Sequence, residues 1–258
     1  MAWPQRPTTA QRPPARSFQQ RALVAIASLL VLIAATASWS PARGAEPPAS
    51  EADLHILAEQ GDLSGVKRWL ARHPQAIAWR DALGLEPLHR AVRSGNRALV
   101  EFLVQRGAPL DTPDGLQGWT PLHHAARLGY VGIVKVLLAR GAASSPPDRR
   151  GQTPLHLAAR LGKAATVAVL LQHGAQVDPT NLWDRTPLHE AVRLGREADD
   201  PAAARAVDDY LTAARHLVAA GAWLDARDAQ GRTVLALALE AGCPPAFLDW
   251  LRSLGASL

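Results

Sequence analysis

Apolar residues along this chain come in pairs of short helical stretches. From Thr153 the sequence reads Thr-Pro-Leu-His-Leu-Ala-Ala and breaks at Gly162; a second apolar run, Val167 to Leu171, then breaks at Gly174-Ala175. Thr is a favourable helix N-cap, and Pro at the first helical position gives up only a donor that has no partner there. A Gly just after each run can take the left-handed conformation that ends a helix. The pattern therefore predicts two short helices joined by a tight turn. It recurs at one constant interval from Thr120 and from Thr186, with the second run of the earlier copy reading Val134 to Leu138 before Gly141-Ala142. A weaker copy, Glu86-Pro87-Leu88-His89, precedes these, and Thr233-Val234-Leu235 follows them. A fixed period of this length predicts a stack of supersecondary units, each packing only on its neighbours.

These phrases resemble the signature of the ankyrin repeat family, Thr-Pro-Leu-His-x-Ala at a period of about 33. The resemblance runs from about Ala52 to Leu258. It implies an all-α solenoid of about six helix-turn-helix repeats with projecting hairpin-like fingers between them, and a protein-binding module rather than an enzyme. Repeat one begins near Ala52 with Leu54-His55 and lacks Thr-Pro; repeats two, three and four begin near Gly84, Gly118 and Gly151; repeat six is Arg232 to Leu258. Atypical first and last copies are expected of a stack whose two ends meet water. Repeat five is longer: Gly195 and Gly221 stand further apart than the equivalent Gly162 and Gly174, by a 14-residue insertion near 196–210. Its Asp-Asp-Pro start and Ala-rich continuation predict a lengthened second helix.

Ahead of the repeats, residues 1–21 are polar, basic and Pro-rich, and Ala22 to Ala35 is a continuous apolar run that ends at Ala35-Thr36-Ala37. This arrangement describes a secretory signal peptide over 1–37, with an uncleaved anchor as the alternative, and a flexible Pro-rich linker over 38–50. With the arginines held on the cytoplasmic side, either reading puts the repeats in the periplasm or the medium, or membrane-anchored and facing outward. The formal charge of +5 does not point to nucleic acid. Four of the excess positives, Arg6, Arg12, Arg16 and Arg21, lie within the first 37 residues, which hold no acid, so the remainder carries only +1.

Little of the chain offers chemistry. Cys243 is the only cysteine, and no phosphate loop, nucleophile elbow or zincin motif is present. His89, His123, His156 and His189 share one repeat position, and the family resemblance makes them structural, bonded to backbone, rather than metal ligands. No cofactor or metal is expected. Arg93, Arg127, Arg160 and Arg193 also share one position, two residues before Gly95, Gly129, Gly162 and Gly195, while the terminal repeats carry Glu59 and Glu240 there. By the family's geometry this row borders the concave surface, so it predicts either favourable helix C-terminal charges or a groove for an acidic protein partner. Trp119 and Trp183 fall at or near the fingers, with Tyr130 in register beside Trp119, and are candidate contact residues. Gln152 is read as an exposed finger position. The expected molecule is a monomeric recognition module; the resemblance also suggests an accessory factor for an envelope peroxidase or catalase, or an effector or immunity-type protein.

Overall fold

The computed structural model describes residues 51–193 and 201–258. The repeats belong to one unit, residues 49–258. The expected leader, the linker and the first part of the insertion lie outside the described residues.

Twelve α-helices and no strands occur among the described residues. They are α1 (Glu51–Glu59), α2 (Leu63–Arg72), α3 (Pro87–Ser94), α4 (Arg97–Gln105), α5 (Pro121–Leu128), α6 (Val131–Ala139), α7 (Pro154–Arg160), α8 (Ala164–Gln172), α9 (Pro187–Val192), α10 (Pro201–Ala219), α11 (Val234–Glu240) and α12 (Pro245–Ser253). Odd-numbered helices form an inner layer in which each packs on the next, and each even-numbered helix packs behind its own partner. This is the six-repeat, all-helical solenoid that the period predicts.

Helices this short are marginal alone, so neighbours must hold them. Leu88, Leu122, Leu155 and Leu188, one per repeat, are fully buried in the inner layer, and Val100, Val134 and Val167 answer them from the outer layer. Burying each such side chain contributes about 1.5–3 kcal/mol. Helix α10, at 19 residues, is the exception in length and begins at Pro201, the start that the sequence predicts.

At the N-terminal end a 3-10 turn, Pro74–Ala78, stands where other repeats have Gly-Ala. Its chain brings Trp79 edge-on to Trp69 with ring centres 5.7 Å apart, and the turn packs on helices of repeats one and two. At the other end Thr233 donates its hydroxyl to the Ser257 carbonyl at 2.6 Å, so the C-terminal tail stands in for a further repeat. No helix among the described residues is long and apolar enough to cross a membrane.

Candidate functional site: the inner groove and its fingers

Two ladders of hydrogen bonds build the surface. The first is made of the shared histidines. In each, Nδ1 accepts from the backbone N–H three residues earlier, for example Thr153 N to His156 at 3.1 Å, which leaves the proton on Nε2. Nε2 then donates to a carbonyl of the following repeat: His123 to Gln152 at 3.0 Å, His156 to Arg185 at 2.9 Å and His189 to Ala226 at 3.1 Å. His89 bonds both Thr112 and Trp119 carbonyls. His55 makes the corresponding bond to Trp79 at 3.2 Å, a rung that its missing Thr-Pro hid in the sequence. Burial in this dry interface pushes the ladder histidines 89, 123, 156 and 189 below the usual imidazole range, His89 to about 4. Neutral rings bonded on both nitrogens have no lone pair for a metal, and no cluster that could hold one occurs among the described residues.

The second ladder sits at the fingers. Asp81, Asp114, Asp148, Asn181 and Asp228 each turn one oxygen onto backbone N–H groups of their own loop, such as Asp148 Oδ1 onto Arg150 and Gln152 at 2.7 and 2.8 Å. The loops close as hairpin-like turns, Asp148 N donating to the Gln152 carbonyl at 2.8 Å. Neighbouring fingers are then tied tip to tip by Gly115 N to Leu83 O, Arg149 N to Gln117 O, Leu182 N to Arg150 O and Ala229 N to Trp183 O, all at 2.9 to 3.0 Å. The approach is close enough that a Cβ on Gly115 would stand 2.6 Å from the Leu83 carbonyl oxygen.

The remaining atom of each finger residue is taken by a partner that changes from repeat to repeat. From the first turn of the inner helix Arg90 pairs with Asp81, His124 pairs with Asp114 at 3.1 Å, and Glu190 accepts from Asn181 at 3.3 Å; in repeat six that helix position is Leu237, and Arg232 of the finger itself pairs with Asp228 at 2.7 Å. In repeat four this position is Leu157, which offers no polar atom. There Trp119, from the repeat before, donates Nε1 to Asp148 Oδ2 at 2.9 Å. Trp119 is thus half-buried and set edge-on to His124. Gln152 is a correction: its side chain is buried, because the position points into the interface between repeats.

The arginine row differs along its length. Arg93 is 3.3 Å from Glu59, and Arg193 is 3.5 Å from the buried Glu190. Arg127 lies over the Trp119 ring at 5.5 Å. Neither Arg127 nor Arg160 forms an ion pair among the described residues, so uncompensated positive charge concentrates in the middle of the row. Tyr130 lies apart from the finger tips; its ring covers Gly95 of the preceding repeat, a Cβ there falling 3.0 Å from the ring. Trp183 is 37% exposed at its tip beside Leu182 at 71%, and Leu83 and Leu116 extend the apolar rim at 41% and 54%. Sequence reasoning missed these leucines, although Leu83 and Leu116 stand, like Trp183, two residues after the finger Asp or Asn. Cys243 is buried, which raises its thiol to about 11 and makes it a poor nucleophile.

Two comparisons bear on this arrangement. A family model described as ankyrin repeats, in three copies, matches residues 54–148 and again 143–199. No curated protein matches the chain.

Proposed function

The chain belongs to the ankyrin repeat family, and from that premise we propose that it recognises an acidic protein segment along its inner groove, outside the cytoplasm. Ankyrin repeats generally mediate protein–protein interaction. The observation that carries the finer reading is the middle of the arginine row: Arg127 and Arg160 lack acidic partners among the described residues, whereas Arg93 and Arg193 at its ends are matched by Glu59 and Glu190. A carboxylate from a partner would complete the charge pattern at the centre. Leu83, Leu116, Leu182 and Trp183 would flank it with apolar contacts, the combination of aromatic and Arg side chains on which binding hot spots depend. Because both hydrogen-bond ladders hold the fingers in place beforehand, little ordering entropy opposes association. No step of this reading requires catalysis or a cofactor. The location rests on the basic leader and apolar run, and a reporter enzyme active only outside the cytoplasm, fused after Leu258, tests it.

Site-directed photo-crosslinking tests the groove. A photoreactive amino acid at Leu116 or Leu182 is expected to trap one protein of discrete mass, and the same group at exposed Gln172 of α8 is expected to trap none. Crosslinks of equal yield from all three positions would contradict recognition through the fingers.

A further inference from the structure

The outer helices carry charge unevenly. Among the outer helices and their C-terminal caps, α2, α4 and α6 contain seven Lys or Arg and one acid, Glu101, which is taken by Arg97 at 2.7 Å. Helix α8 has no charged residue, and α10 and α12 balance three acids with three arginines. The basic side chains are also drawn together. The Lys67 ammonium and the Arg106 guanidinium both sit on the Phe102 ring, at 5.4 and 5.0 Å from its centre. An open groove of about 420 Å³ between α4 and α6 is lined by Lys135, Arg140, Gln105 and the paired Arg97 and Glu101 among others. Lys67, Arg106, Lys135 and Arg140 are exposed, and none forms an ion pair among the described residues. Surfaces that only need solubility intersperse both signs; this one does not.

We infer that this strip docks on a lipid surface rich in anionic headgroups. Charge complementarity supplies the first argument. The position of the strip supplies the second: it occupies only the first three repeats, which follow the apolar run Ala22 to Ala35 after the short intervening segment 36–50. Where the apolar run is retained as an anchor, it and the basic patch form the pair of weak signals that gives lasting membrane association; where it is removed, each Lys or Arg near an anionic surface still adds to affinity. The strip belongs to the outer helices and the arginine row to the inner ones, so the two surfaces can be occupied at once and the inference does not rest on the protein-binding reading.

The test uses the full chain and sedimentation with vesicles of phosphatidylcholine alone or with one quarter phosphatidylglycerol, at 0.1 M salt. Binding to pure phosphatidylcholine measures what the apolar run does alone; the extra binding to anionic vesicles measures the charge. The double variants K135Q/R140Q and K67Q/R106Q are expected to weaken binding to anionic vesicles about thirtyfold each and to leave binding to neutral vesicles unchanged. The matched variant R215Q/R252Q, which removes two cations from the other end of the outer layer, is expected to behave as the parent, and 0.5 M salt is expected to erase the difference. Helical circular dichroism establishes that all three variants are folded. Equal weakening by R215Q/R252Q would overturn the assignment, since net charge and not the strip would then be responsible. Unchanged vesicle binding by both strip variants, with loss of binding to a DNA duplex instead, would also overturn it and give the surface to nucleic acid.

Discussion

His124 and His89 are the two histidines held furthest below an ordinary imidazole. Burial and the neighbouring His89, whose ring centre is 5.8 Å away, hold His124 at about 4. Its partner Asp114 is also shifted down, for a different reason: burial opposes its charge, but the N–H groups of Gln117 and Trp119 and the His124 ring hold its carboxyl below the usual range. An imidazole that resists protonation when folded binds fewer protons than the unfolded chain does, so stability rises with pH across the interval between its two pKa values. The repeat stack should therefore lose stability as pH falls from about 6.5 towards 4, by an amount on the order of a few kcal/mol summed over His89 and His124. Leu157 shows that the His124 position tolerates an apolar residue. The variant H124L is expected to unfold in urea with a smaller loss between pH 7 and pH 4.5 than the parent, and an identical loss would show that His124 does not titrate on unfolding. The ladder histidines were legible in the sequence because they repeat at a fixed offset from Thr-Pro. The roles of Trp119 and Gln152 were not, since a position in a finger says nothing about which way its side chain folds. What turns Trp119 inward is the absence of a polar atom at Leu157, in the following repeat.

At the scale of the helix, sequence and structure agree closely where Pro and Gly mark the ends. Helices α5, α7 and α9 begin at Pro121, Pro154 and Pro187 as the phrase predicts, and α10 begins at Pro201 despite the broken period. The 3-10 turn at Pro74–Ala78 was not predicted, because it repeats nowhere else among the described residues. Since helix α7 is only two turns long and fully reliant on its neighbours, one large-to-small change in its buried stripe should be costly. Leu155→Ala is expected to destabilise the domain by about 2–5 kcal/mol, whereas exposed Gln172→Ala on α8 should shift stability by no more than about 0.5 kcal/mol from the parent. Chemical denaturation followed by circular dichroism measures both, and equal midpoints would refute the stacked register.

For the whole molecule, the period alone carried the architecture, because each repeat buries its core only against the next. The distribution of charge needed the structure. A row of four arginines at one repeat position looks uniform in sequence, yet Glu59, from the repeat before Arg93, and Glu190, one helical turn before Arg193, match its ends and leave its centre open. The outer basic strip was invisible for a related reason: its members come from three helices and converge only on Phe102 and on the groove between α4 and α6. The claim that binding is centred on Arg127 and Arg160 is tested most directly by calorimetric titration of the crosslinked partner, once identified, against the full chain and against R127E/R160E. The variant is expected to show a Kd weaker by about tenfold or more, and the parent a Kd that weakens as salt is raised. Equal affinities with no salt dependence would contradict that claim and leave the apolar finger tips as the only binding surface of the groove.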